Sequence, residues 1–458
     1  MKVVVCGAGQ VGSSIARYLA GEGNSVTVID QSAELVQRLS DMLDVRGIVG
    51  HASHPSVLAE AGTADADMLI AVTYADEVNM VACQIAHALF DVPTKIARIR
   101  AQAYLQPEWR KLFARDHLPI DVTISPEIEV AHAITGRLDV PGAFDVVTLA
   151  DGRVKVVGVR CASECPVVNT PLHQLPGLFP DLDIVVVGLV RDGRALIPES
   201  DEMVLPGDEV YFVADARHVH RAMMAFGHEE QPGRRVVIVG GGNIGLYLAQ
   251  DIAERFPQVS VKIIELDRTR ATELCQRAGH AIVLNGDGLD TEILEEANAA
   301  TAETFIAVTD DDEVNVLSSL LAKRLGAPRV VTLINKPTYE PLVPNLGIDA
   351  VVNPRAITVS KILQHVRRGR IRAVHSLREG FGEIIEADAM ETSPLVGRPL
   401  REIDLPDGII LGAVVRGKTV IIPRASTVIK AEDRVVLMAA PGAVRKVEKM
   451  FAVRLEYF

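Results

Sequence analysis

Near the start of the chain three apolar positions follow one another without a polar break, Val3, Val4 and Val5, and after Cys6 come the glycines. A short apolar run without alternation fits a strand buried on both faces, as in a parallel sheet. The stretch SSIARYLAG then sets Ile15 and Leu19 on one side of a helix, and NSVTVID reads as a second strand ending at Asp30. The same order returns in RRVVIVGGGNIGLYLAQDIAERFPQVSVKIIELD, where Val236 to Val239 form the strand and Glu265 ends the next one.

Beyond each acid the pattern predicts a helix, a short strand and a polar turn, in GIVGHAS and in AIVLNGDG. An Ala-rich helix is expected over ADADMLIAVT and TAETFIAVT, with Thr73 and Thr309 placed directly after strands. The phrase AVTYADEVNM at 71–80 recurs as AVTDDDEVNV at 307–316, 236 positions later. Helices in VNMVACQIAHALF and VNVLSSLLAKRLG lead to strands at KIARIR and RVVTLIN, which completes two copies of one α/β plan.

A different pattern fills residues 143–226 and 372–455. In the first, FDVVTLA, GRVKVVGV, DIVVVGLV and DEVYFVA are short strands between Gly, Pro and Asp turns, closed by a helix at VHRAMMAF. In the second, EIIEA, GIILGAVV, KTVIIP and DRVVLMA run in parallel and end in AVRKVEKMF. GLVRDGRALIP and GAVVRGKTVIIP are matching phrases. Four segments follow: nucleotide-binding domains at 1–140 and 233–370, and small domains at 141–227 and 371–458, with GHEEQPG from Gly227 as the linker.

A length of 458 residues fits several domains rather than one core. Only 4% of residues are aromatic and 35 are Gly, which suits Val/Ile-rich strands joined by tight turns. Apolar runs such as IVVVGLV are far shorter than the ~20 residues a bilayer crossing requires, and MKVVVCGAGQ leaves no room for a targeting sequence, so a cytoplasmic protein is expected. A net charge of −13 argues against a general nucleic-acid or anionic-lipid surface. The five cysteines are odd in number and scattered. Cys161 and Cys165 are the one close pair, with no second pair or nearby histidine to complete a metal site.

The chemistry concentrates in the turns Gly7-Ala8-Gly9-Gln10-Val11-Gly12 and Gly240-Gly241-Gly242-Asn243-Ile244-Gly245. A GxGxxG alone is weak evidence, but here each lies between strand and helix, with Asp30 18 residues after Gly12 and Glu265 20 after Gly245. Backbone N–H groups at such a helix start receive phosphate charge, and the acids accept ribose hydroxyls while repelling a 2′-phosphate. NAD or another adenine nucleotide is therefore expected over NADP; a turn kept only for close packing is the competing account. Arg268 could swing back towards a phosphate, although Glu265 before it weakens the case for NADP in the second copy.

Thr73, Tyr74 and Glu77, with Thr309 in the second copy, fall in loops beyond strand ends that line such crevices. Asp76, Glu77 and Asn79 match Asp312, Glu313 and Asn315, and helix capping explains these polar residues as well as ligand contact does. Arg98 and Arg100 end one strand where the other copy has Leu333 and Asn335, so only the first half offers a guanidinium across the cleft. Asp287 replaces His51 as a residue that orients either a ribose or its own turn. The two sites are expected to differ in preference.

The combination of GAGQVG, Asp30 and AVTYADEVNM with GGGNIG, Glu265 and AVTDDDEVNV, each followed by a small module, resembles the Trk potassium-uptake regulator family over essentially the whole chain. The resemblance implies tandem Rossmann-like KTN/RCK nucleotide-binding domains, each followed by a small α+β RCK C-terminal domain. It implies that the two glycine-acid sets surround NAD or NADH, with ATP and ADP as alternatives. It further implies a ring of four copies docked on the cytosolic face of a potassium-transporting membrane subunit. An NAD-dependent dehydrogenase is the main alternative, but His87, His218 and His220 show no positioned acid-base arrangement. A scaffold with vestigial nucleotide sites is the other.

Overall fold

Val3 to Val5 are buried on both faces because they lie in the middle of a six-stranded sheet. The computed structural model describes residues 1–451 except 115, 180–181, 231–232, 337, 340–341, 343–345, 367–369 and 378–380. Part of the expected linker (Gln231 and Pro232) and the end of the fourth segment therefore lie outside the described residues.

The first sheet contains β1 (Lys2–Cys6), β2 (Ser25–Asp30), β3 (Arg46–Val49), β4 (Met68–Ala71), β5 (Thr94–Arg98) and β6 (Val122–Ile124). Its order is β3-β2-β1-β4-β5-β6 and every pairing is parallel. The helices are α1 (Gln10–Gly21), α2 (Ala33–Met42), α3 (Pro55–Glu60), α4 (Asp76–Phe90) and α5 (Pro126–Leu138). Strand order reverses between β1 and β4, which opens a crevice beyond their carboxyl ends. The first small sheet, β7 (Asp145–Leu149), β8 (Val154–Arg160), β9 (Ile184–Arg191), β10 (Arg194–Leu196) and β11 (Glu209–Asp215), is antiparallel, with helices α6 (Leu175–Leu178) and α7 (Val219–Ala225).

The second half repeats the plan. β12 (Arg235–Val239), β13 (Ser260–Glu265), β14 (Ile282–Asn285), β15 (Thr304–Ala307), β16 (Val330–Leu333) and β17 (Ala350–Val352) pair in the order β14-β13-β12-β15-β16-β17. Its helices are α8 (Asn243–Arg255), α9 (Arg268–Arg277), α10 (Thr291–Glu296), α11 (Asp312–Leu325) and α12 (Pro354–Val366). The second small sheet holds β18 (Ile371–Ser376), β19 (Glu383–Asp388), β20 (Ile409–Arg416), β21 (Thr419–Ile421) and β22 (Arg434–Ala439), followed by α13 (Val444–Met450). The fold is thus two Rossmann-like domains, each followed by a small mixed domain.

The Ala-rich helices expected over ADADMLIAVT and TAETFIAVT are not formed. Only the single 3-10 turns Thr63–Asp65 and Ala299–Thr301 are helical there. The apolar stretches that follow are β4 and β15, both buried throughout. The crossover needs only the one short helix before each turn, so MLIA and TFIA are free to pair with β1 and β12. The pattern also failed to single out β18, whose mixed sequence IRAVHS is only partly buried.

Contacts divide the chain into two compact units, residues 1–129 with 354–366, and residues 130–353 with 367–458. Helix α12 follows the last strand of the second parallel sheet, yet it lies in the first unit. Val359, Ile362, Leu363 and Val366 share one core with Val3, Val5, Ile15 and Leu19, and Lys361 reaches Glu129 at 3.4 Å. Replacing Ile362, fully buried there, with alanine is expected to destabilise the first unit by about 3 kcal/mol. Amide exchange in β1 and α1 checks this; faster exchange confined to the second parallel sheet would contradict it.

Within the second unit the two small sheets pack face to face. Val147, Leu149, Tyr211 and Val213 meet Phe381, Ile384, Ala413 and Val436 in one apolar cluster. The approach is close enough that a Cβ on Gly188 would lie 2.2 Å from Phe381 Cζ. Polar staples cross the same contact: the buried Glu386 accepts from Ala150 N at 2.9 Å, and Arg434 reaches Asp151 at 2.8 Å.

Candidate nucleotide crevices

In each glycine turn the three glycines of the GxGxxG pattern have different reasons to be there. Gly7 and Gly240 take φ of +111° and +103°, a region that side chains disfavour. A Cβ on Gly12 would stand 1.8 Å from Gly7 O, and one on Gly245 2.0 Å from Gly240 O. These four are required by the chain's own packing. Gly9 and Gly242 are not: their φ values of −66° and −60° suit any residue, and a Cβ would meet nothing within 4 Å. What their bare backbone leaves is open space at a helix start.

Those starts are unsatisfied. Gly9 caps α1 and Gly242 caps α8 without any side-chain hydrogen bond, and neither first turn holds an acid. The free N–H groups and the positive end of the helix dipole suit a phosphate. Gln10 and Asn243 are exposed beside them, whereas Val11 and Ile244 are half-buried.

Each acid braces its loop. Asp30 accepts from Ala8 N at 2.7 Å and from Ser32 N at 2.9 Å, one bond to each oxygen. Glu265 does the same with Gly241 N at 2.7 Å and Asp267 N at 2.8 Å. A carboxylate oxygen has a second lone pair, so each acid retains acceptor capacity for ribose hydroxyls while already fixed in place. Residues present in both halves therefore fit an adenine nucleotide: open space at a helix start, free donors and an oriented acid.

The repeated phrase does mostly structural work. Asn79, fully buried, accepts from Thr73 N and Thr73 Oγ1 at 2.8 and 2.7 Å, and donates to Arg98 O at 2.9 Å. Asn315 repeats this with Thr309 N and Oγ1, both at 2.8 Å, and with Leu333 O at 3.1 Å. Asp76 accepts from Arg100 N and Ala101 N, and Asp312 from Asn335 N and Lys336 N. These acids clamp the chain just beyond β5 and β16 to the first turn of the preceding helix, α4 or α11. Glu77 is exposed, 3.5 Å from Tyr104 Oη. Lys336 and Tyr339 flank Glu313, and the Lys336 ammonium holds that carboxyl well below the usual range.

The crevice walls differ between the halves. Tyr74 is 86% exposed, with the Arg100 guanidinium 5.9 Å from its ring centre, where the second copy has the exposed Asp310. Arg98 donates from Nη2 to Thr73 O at 2.8 Å, while its Nε is buried without a partner. Burial, and then Arg100, push its pKa down. Arg100 pairs with Glu127 at 3.0 Å, but among the described residues Arg98 has no carboxylate partner. Leu333 and Asn335 bring no such charge to the second crevice.

Asp287 and His51 serve the same local purpose, accepting from Leu289 N at 2.9 Å and from Ser53 N at 3.3 Å. Asp287 is exposed in that turn. Arg268 is also exposed; the arginine that reaches the glycine loop is Arg270, whose Nε donates to Gly241 O at 2.8 Å. Sequence reading passed over it. Helical geometry was the available signal, since the third residue of α9 sits on a different side from the first.

Two domain models match the chain twice each: the TrkA-N domain at residues 3–126 and 236–354, and the TrkA-C domain at 156–227 and 384–452. A Trk system potassium uptake protein TrkA from Azorhizobium caulinodans is 56% identical over 458 residues, all of both chains. Its counterpart from Halomonas elongata is 44% identical over 462 residues, again all of both chains. Among solved structures, the GsuK RCK domain aligns with TM-score 0.58 at 16% identity, covering 99% of this chain and 95% of the other. The GsuK channel aligns at 0.59 and 16%, covering 98% and 78%. These structures share the fold. Among the described residues no helix is long and apolar enough to cross a membrane. With both domain types matched in tandem and close relatives matched end to end, the chain belongs to the TrkA family of Trk system potassium uptake proteins.

Proposed function

We propose that this chain is the nucleotide-sensing regulatory subunit of a Trk-type potassium uptake system, acting from the cytosolic face on a membrane subunit that carries the ion. The observation that carries this reading is the pair Gly9 and Gly242, whose lack of a side chain answers to no strain or packing inside the chain. Gly7 to Gly12 and Gly240 to Gly245 would cradle the phosphates, and Asp30 and Glu265 would hold the ribose. Thr73, Tyr74 and Thr309 would line the walls, with Glu77 and Asp287 at the rims. NAD or NADH is the proposed ligand, with ATP and ADP competing for the same kind of site. A GsuK channel of the same fold is described as bound to NAD, which supports the choice.

Arg98 would give the first crevice a phosphate contact that the second lacks on that wall, so the halves would answer to different nucleotides. We read the chain as a regulator and not an enzyme, because Asp76, Asn79, Asp312 and Asn315 hold the chain's own backbone. Four copies in a ring would couple occupancy to the membrane subunit's gate. Such coupling requires that a nucleotide bind one ring arrangement more tightly than another.

Potassium flux into vesicles containing the membrane subunit tests this, with and without the chain, across ATP, ADP, NAD and NADH. At least one nucleotide is expected to change flux about fivefold or more. Unchanged flux under every condition, with the complex shown to form, would sink the mechanism.

A further inference from the structure

The three nitrogens of the Arg270 guanidinium are in three different situations. Nε donates to Gly241 O at 2.8 Å, Nη1 donates to Glu273 Oε2 at 3.0 Å, and Nη2 is shielded from solvent with no hydrogen-bond partner. A buried charged donor without an acceptor is unfavourable, and it lies beside the loop that leaves room for a ligand. Gly241 is thereby gripped on both polar groups, by Glu265 on its N–H and by Arg270 on its carbonyl. In the first half Asp30 grips Ala8 N in the same way. There Leu35 stands at the spacing of Arg270 and packs against the apolar core. In the first half a buried guanidinium nitrogen without a partner, Arg98 Nε, comes instead from β5, on the other side of β1.

We propose that Arg270 donates Nη2 to a phosphate of the bound nucleotide, so that the second crevice draws its charge recognition from the β13 side and the first from the β5 side. This rests on the reading of both loops as nucleotide sites. The shared chemistry is an adenosine phosphate. Its source is either the 5′-phosphate next to the glycine loop, as in ADP and NAD, or a 2′-phosphate on the ribose that Glu265 faces, as in NADP. Arg270 also fixes Gly241 before any ligand arrives, which lowers the ordering cost of binding.

The test uses the full chain carrying Gly9→Val to close the first crevice, titrated calorimetrically with adenosine, ADP and NADP. Arg270→Gln is expected to weaken ADP roughly 10- to 100-fold, in line with loss of a charge-assisted hydrogen bond. Adenosine, which has no phosphate, is expected to bind as before, and Arg270→Lys to recover part of the loss. A larger loss for NADP than for ADP places the phosphate on the ribose 2′ position. Equal weakening of adenosine, ADP and NADP would show that Arg270 only shapes the loop, and undiminished binding of both ADP and NADP would remove its role altogether; either overturns the proposal. If the parent chain binds neither ADP nor NADP, the nucleotide reading itself falls. Thermal unfolding of each variant identifies any chain that has lost its fold, in which case Arg270→Lys carries the comparison.

Discussion

Gly242→Val is expected to lower nucleotide affinity at the second crevice by about 100-fold or more, about 2.7 kcal/mol, while leaving thermal unfolding almost unchanged. The φ there, −60°, is open to residues with a side chain, and the new Cβ meets no atom within 4 Å. Its methyls would fill the space that a pyrophosphate needs over the start of α8. Gly245→Val is the opposite case. Its Cβ falls 2.0 Å from Gly240 O, so the loop or the helix must move, with a stability loss of about 3 kcal/mol. Calorimetric titration beside thermal unfolding separates the two. Normal ligand affinity in Gly242→Val would mean that the gap is not a ligand cradle, however well the fold survives.

Asn315→Ala is expected to cost about 4 kcal/mol of stability, because it leaves Thr309 N, Thr309 O and Leu333 O without their buried partner. Asn79→Ala removes the matching contacts to Thr73 and Arg98 and is expected to fall by a similar amount. A shift of the urea midpoint at constant slope is the signature. Glu313→Gln, on the exposed face of the same helix, is expected to leave the midpoint where it is. If the asparagine variants unfolded like their parent while losing ligand, these side chains would be ligand contacts and not staples.

Parallel order, duplication and both glycine-acid sets are legible in the sequence because each is a local pattern: an apolar run, a turn, a fixed interval to an acid. Asp76 and Asn79 show where such legibility stops. Their spacing announces a repeated feature, but their partners are backbone groups about 20 residues further on, and no local signal distinguishes a staple from a ligand contact. Arg98 and Arg100 look alike in the sequence until Glu127 comes back to pair with one of them. Helix α12 is the extreme case. Ile362 and Leu363 mark an apolar face, yet two similar sheets offer matching surfaces and nothing in residues 354–366 says which will receive it.

The placement of α12 also governs the order in which the chain can mature. The sheet that begins at Lys2 lacks part of its apolar packing until residue 366 has left the ribosome. At roughly 5–20 residues per second, that is a delay of about 20–70 s during which the faces of Ile15 and Leu19 stay partly open. The first half is thus born waiting for α12, and a chain cut after residue 129 would lack that apolar cover. Duplication here has made two units that neither synthesis nor gene fission can cleanly separate.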